Sequence, residues 1–242
     1  MSVNSFKLVQ NVCLTLSHFS HPRYRMNEQR FYREKLENPM VLRMDILRKI
    51  SSRHFKEIRS LPKDEIFDLC EKLLKSGNGE ERAIAFDWAY RCKKRLEKKD
   101  FKTFERWLKK YVHGWGSCDH LCVHPLGHFI EQFPESSAKT TKWARSKNQW
   151  FRRASAVSLI PALRRKLLLK EAFQTADVLL QDKEDLVQKG YGWMLKEASN
   201  QFPKEVFRYV MKNRKKMPRT ALRYAIEKMP AKWKKEAMQK DF

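Results

Sequence analysis

The sequence has little of what breaks a helix. Its 242 residues include only seven glycines and nine prolines. Strands are just as poorly served, because β-branched runs are few and no segment alternates apolar and polar residues over a strand's length. Leu, Lys, Glu, Ala and Arg dominate, so helix is expected nearly throughout. No apolar run approaches the roughly 18 residues of a membrane-spanning helix. Met1 to Ser20 lacks the basic start, apolar run and small-residue cleavage site of a secretory signal. The five cysteines are odd in number and scattered, which reads as free thiols in a reducing cytoplasm. Acidic residues are also scarce, with 28 Asp and Glu against 52 Lys and Arg, for a net charge of +24. A polyanion is therefore the default partner. A disordered basic tail is excluded, because 42% of the residues are hydrophobic and 12% aromatic.

What is present is helical apolar spacing from end to end. The punctuation marks out helices at Asn4–Phe19, Glu28–Leu36, Met44–Ile58, Pro62–Ser76, Glu80–Lys98 and Phe101–Val112. Beyond the central stretch come Ser136–Ser146, Asn148–Leu159, Lys170–Gln181, Asp185–Phe202, Pro203–Asn213, Pro218–Lys228 and Pro230–Lys240. Pro62 stands at a first helical position, and Gly77-Asn78-Gly79 closes the helix that it opens. The loops are short and the helices come in pairs.

Segments starting at Glu80 (EERAIAFDWAY), Trp150 (WFRRASAVSLI), Val187 (VQKGYGWMLKEA) and Pro218 (PRTALRYAIEKM) resemble one another. Arg82 and Arg153 are 71 residues apart, and Arg153 and Lys189 are 36 apart. Asp119 falls 37 residues after Arg82, on the missing beat. A period near 35 with two helices per unit predicts an all-α superhelical solenoid of HEAT-like two-helix repeats. A helix bundle would also pair its helices. The solenoid reading makes 1–242 a single domain, with capping helices over 1–40, repeats over 41–229 and a last helix over 230–242. Its second helices would line a concave face and could bring Asp119, Arg153 and Trp193 together.

The stretch from Val112 to His128, VHGWGSCDHLCVHPLGH, is the chemically dense one. Trp115 and Asp119 stand at i, i+4, stacked on one face if Gly116 or Ser117 caps a helix. One reading is a core tryptophan with an aspartate that suits the helix dipole. The other is a cation-attracting spot on a cationic protein. Cys118 and Cys122, and His120, His124 and His128, also have i, i+4 spacing. Pro125 interrupts their helix and CxxC spacing is absent, so buried thiols and solvent-side histidines are preferred to a metal site. A cysteine–histidine nucleophile lacks a visible third orienting group.

These residues carry a family resemblance. VLRMDILRKI from Val41, SGNGEERAIAFDWA from Ser76, WGSCD from Trp115, WFRRA from Trp150 and QKGYGWMLKE from Gln188 resemble segments of the AlkD-like DNA alkylation repair glycosylases, a HEAT-repeat family. The likeness spans roughly Pro39 to Met229. It implies a basic concave groove that wraps duplex DNA, and excision of 3-alkyladenine and 7-alkylguanine by hydrolysis of the glycosidic bond. The lesion is not drawn into a pocket, unlike the usual base-flipping route.

The resemblance implies Asp119 as catalytic carboxylate and Trp115 and Trp193 as its aromatic neighbours. It implies Arg153 as a DNA-backbone contact, with Arg152 competing for that role and Lys189 and Trp150 on the same DNA-binding side. It also implies a monomer in a bacterial cytoplasm or nucleoid, with no cofactor and no metal. The chain departs from the family in having Gly114 and Gly116 around Trp115, where a second tryptophan and a further aspartate are common. The rival class is a non-catalytic nucleic-acid scaffold. The runs KNRKK from Lys212 and KWKK from Lys232, beside Tyr209 and Trp233, suit it equally well. A protein-binding solenoid is the third class, and +24 disfavours it unless its partner is acidic.

Overall fold

A computed structural model describes residues 5–19 and 42–239. The helix expected over Glu28–Leu36 lies outside the described residues. The chain divides into two compact units, Met1–Leu96 and Glu97–Phe242. No strand occurs among the described residues, and the protein is all-helical.

The first unit holds α1 (Ser5–Phe19), α2 (Met44–Ile58), α3 (Lys63–Lys75), α4 (Gly79–Arg91) and a 3₁₀ turn at Lys93–Arg95. Helix α3 starts one residue later than its proline suggested, with Pro62 at the N-cap and Asp64 and Glu65 in the first turn. Gly77 ends that connection at φ +75°, a left-handed backbone that glycine adopts without strain. Asn78 then caps α4, its side-chain oxygen accepting from the amides of Glu80 and Glu81 at 2.8 and 3.4 Å. The expected helix from Glu80 to Lys98 stops at Arg91, because KKRLEKKD supplies no further apolar stripe to bury. Leu8, Val12, Ile50, Ile58, Ile66, Leu73, Ile84 and Phe86 fill the core. Trp88 is fully buried there and donates its indole N–H to the Ser51 carbonyl at 3.1 Å.

The second unit is a stack of helix pairs. It contains α5 (Asp100–Tyr111), α6 (Trp115–Val123), α7 (Pro125–Gln132), α8 (Ser137–Trp143), α9 (Gln149–Val157), α10 (Ile160–Arg164), α11 (Leu169–Leu179), α12 (Asp185–Ser199), α13 (Pro203–Asn213), α14 (Arg219–Ala225) and α15 (Ala231–Met238). Helices α6, α9, α12 and α14 pack each against the next, forming one layer. Ring stacks between its helices tie the other layer together. Phe101 of α5 stacks on Trp143 of α8, Phe173 of α11 on Tyr209 of α13, and Phe207 of α13 on Trp233 of α15. Hydrogen bonds join the same layer across 32 to 38 residues: Trp143 to Glu105 at 3.0 Å, Thr141 with Thr175 at 3.4 Å, and Tyr209 to Asp177 at 2.8 Å.

Close approach within the α6–α14 layer depends on small residues. A Cβ on Gly192 of α12 would lie 2.7 Å from the Tyr224 Cβ and 2.9 Å from the Ala221 carbonyl oxygen of α14. Two short helices, α7 and α10, were not foreseen. Each begins with a proline at N1 or N2, which sequence punctuation reads as a stop when it actually opens a new helix.

Candidate active site

Helices α6, α9 and α12 lie side by side, and the site is built across them. Gly114, not Gly116 or Ser117, is the N-cap of α6, so the helix starts at Trp115 itself. Ser117 uses its hydroxyl in the opposite sense, donating to the Gly114 carbonyl at 2.9 Å. Trp115 and Asp119 therefore stand one turn apart on the same helix, both partly exposed.

Arg153 comes from α9, 34 residues after Asp119, and meets it in a fork-to-fork pair. Its Nε donates to Asp119 Oδ1 at 2.8 Å, and Nη2 to Oδ2 at 2.7 Å. The remaining nitrogen, Nη1, donates to the Leu186 carbonyl in the first turn of α12. One guanidinium thus bolts three successive helices of this layer together. The Arg153 side chain is 6% exposed and the Asp119 side chain 17%. Burial disfavours the arginine's charge, but the hydrogen bonds and charge of Asp119 more than offset this and raise its pKa above the ordinary value. Gly190 on α12 makes room for the arm, since a Cβ there would sit 3.1 Å from Arg153 Cγ and 3.3 Å from Nη1.

The carboxylate keeps chemical capacity. Two oxygens offer about four lone-pair directions, of which Arg153 uses two. The side chain's exposed part leaves the others open to a water or a substrate cation.

Trp193 lies on α12, two turns beyond Leu186, or about 10 Å along the axis. It is partly exposed, and its indole N–H donates to Glu197 at 3.0 Å. Arg164 holds the same carboxylate at 2.9 Å. Arg152 points elsewhere. Its Nε and Nη2 donate to Asp182 at 2.6 and 3.4 Å, and its Nη1 to the Ser146 and Lys147 carbonyls at 2.9 and 3.1 Å. Lys189 pairs with Asp185 one turn earlier at 2.7 Å. Trp150, in the first turn of α9, is partly exposed with its amide capped by Asn148 at 2.8 Å. The structure therefore joins Asp119 and Arg153 directly and occupies both arginines within the protein. Residues that the sequence reading missed are Leu186, Gly190, Asp182, Arg164 and Glu197. The 34-residue interval between Asp119 and Arg153 was the available signal for their pairing.

The neighbouring thiols are closed off from solvent. Cys118 and Cys122 are fully buried. Burial, then Cys118 and Asp119, push the Cys122 thiol well above the ordinary range, so it holds its proton. His120 and His124 meet edge to face, with ring centroids 5.1 Å apart, and His128 lies 3.2 Å from Glu131. Among the described residues, no three His, Cys, Asp or Glu side chains converge as metal ligands. None of the described helices is long and apolar enough to cross a membrane.

A sequence profile of the DNA alkylation repair enzyme family matches residues 14–229. Two solved structures share the fold. One, described as a predicted DNA alkylation repair enzyme from Enterococcus faecalis, superposes with a TM-score of 0.77 at 16% identity, covering 88% of this chain and 97% of that one. The other, smu.31 from Streptococcus mutans UA159, gives a TM-score of 0.58 at 20% identity, covering 76% of this chain and 93% of that one. No curated protein sequence matches significantly.

Proposed function

Since the chain belongs to the DNA alkylation repair enzyme family, we propose that it is a DNA glycosylase. It releases cationic alkylated purines, 3-alkyladenine and 7-alkylguanine, from duplex DNA and leaves an abasic site. The observation that carries this reading is Asp119, a carboxylate fixed by a buried arginine, partly open, and one helical turn from a tryptophan on a +24 protein.

A purine alkylated on a ring nitrogen already bears positive charge, which weakens its bond to the sugar. When the C1′–N bond breaks, the electron pair leaves with the base, which departs neutral, and the sugar becomes an oxocarbenium ion. Asp119 stabilises that cation electrostatically and orients the water that adds at C1′, whose proton passes to the solvent. Trp115 and Trp193 offer ring faces to the cationic sugar, each contributing about 0.5–2 kcal/mol. Arg153 is the strut in this reading. It holds the Asp119 carboxylate in one orientation, with its fork committed to the protein and not to a phosphate. No base pocket is required, because the leaving group's own charge supplies much of the activation.

The rival reading, a non-catalytic nucleic-acid scaffold, draws on the same pair: a carboxylate shared with a guanidinium also makes a structural bolt. Single-turnover base release from methylated duplex separates the two. Asp119→Asn should slow release of 3-methyladenine or 7-methylguanine by about 10²–10³, equivalent to about 3–4 kcal/mol. Duplex binding, followed by fluorescence anisotropy, should persist. Trp115→Ala and Trp193→Ala should each cost on the order of tenfold. Wild-type rates from Asp119→Asn would put the scaffold first.

A further inference from the structure

The first unit carries a second basic feature, apart from Asp119 and its neighbours. At the carboxyl ends of α2 and α4 lies an open depression of about 380 Å³, lined by Phe55, Arg59, Arg91, Lys93, Lys94 and Arg95. Five of these six residues are cations. The fold orients three of them. Arg91 stacks over the Phe55 ring at 5.3 Å and pairs with Asp87 at 2.7 Å. Lys93 stands 4.5 Å above the Tyr90 ring and 3.2 Å from its hydroxyl. Arg95 donates to the Leu61 carbonyl at 2.7 Å. Arg59 and Lys94 are exposed and have no ion-pair partner among the described residues.

Cations gather at helix carboxyl ends because the dipole attracts them, so the local charge has to be counted. Two helix ends supply together about one negative charge, and Asp87 supplies another. Five cations then leave roughly three positive charges unbalanced around one depression. That exceeds what helix capping needs and fits an oxyanion with several acceptor atoms.

We propose that this depression seats a backbone phosphate of duplex DNA, giving the protein an anchoring point in the unit that does not contain Asp119. The proposal rests on the DNA reading above. A phosphodiester fits better than a compact inorganic ion because the depression is open and has an aromatic wall. Its two unpartnered cations, on α2's end and on the 3₁₀ turn, can contact a strand that passes through.

The test uses the full chain, with Arg59→Gln/Lys94→Gln set against a charge-matched control, Lys72→Gln/Lys75→Gln, on the exposed face of α3 in the same unit. Anisotropy with an unmodified duplex over a salt series reads affinity and slope. The pocket variant should bind about tenfold more weakly at 0.1 M salt, with a log–log slope smaller by about one, as loss of one phosphate contact gives. The control should stay within about twofold of wild type. A pocket variant that behaves like the control overturns this site while leaving the DNA reading in place. A wild-type protein that binds no duplex at any salt overturns the DNA reading itself. Inorganic phosphate and a deoxymononucleotide are titrated in parallel. Saturation of either below about 1 mM, lost in the pocket variant while duplex binding is unchanged, assigns the site to a small phosphate ester and overturns the backbone assignment.

Discussion

Removing the guanidinium of Arg153 is the most informative perturbation of this molecule. Arg153→Met keeps the apolar stem against Gly190 and deletes three hydrogen bonds: two to Asp119 and one to the Leu186 carbonyl. Breaking a buried ion pair from one side costs about 3–5 kcal/mol, because the surviving charge stays desolvated. Asp119 is 17% exposed and regains some water, so Arg153→Met should fall near the low end, at about 3 kcal/mol. Asp119→Asn strands a guanidinium that is only 6% exposed, but Asn can still accept one of its hydrogen bonds, so a similar figure is expected. The double variant leaves no unpaired charge and should cost clearly less than the sum, with a coupling of about 2–3 kcal/mol. Urea unfolding followed by helical circular dichroism measures all four corners of the cycle. For a chain of this length, 3 kcal/mol corresponds to a melting shift of about 6–12 °C. Additive effects, or single losses below about 1 kcal/mol, would refute the claim that this pair bolts α6, α9 and α12 together. The salt slope of duplex binding should not change in Arg153→Met. A slope reduced by about one would mean that the fork leaves Asp119 for a phosphate.

Glu197 should shape the acid limb of stability. Burial raises its pKa, but hydrogen bonds from Arg164 and Trp193 outweigh this and hold it below the ordinary 4.5. A depressed carboxylate stabilises the fold above its unfolded pKa, and that contribution is lost as pH falls through the folded value. Glu197→Gln should therefore lower stability at neutral pH and narrow its gap to wild type below about pH 4, read from urea midpoints across pH. Gly192→Ala should destabilise by about 1–3 kcal/mol through overpacking, because its new methyl would press on Tyr224 and the Ala221 carbonyl. A thermal melt within a degree of wild type would show that α12 and α14 can slide apart without cost.

The sequence by itself determined the helical class and most helix positions, because apolar spacing and punctuation act within one or two turns. Pro203–Asn213 is placed to the residue, and Asn148 and Pro218, the first residues of two expected helices, stand as caps one residue outside the observed ones. It also determined the repeat of the second unit, since stacked pairs need equivalent residues at equal intervals. Tertiary structure decided where the cations spend their charge. An arginine fork reaches several residues in any direction, and its partner is set by which helices become neighbours. Arg152 and Arg153 are adjacent in sequence and compete there for one role. Helical rotation of about 100° per residue sends one to Asp182 and the other to Asp119. The same holds for Gly190, whose missing side chain has meaning only once the arm of Arg153 lies across it.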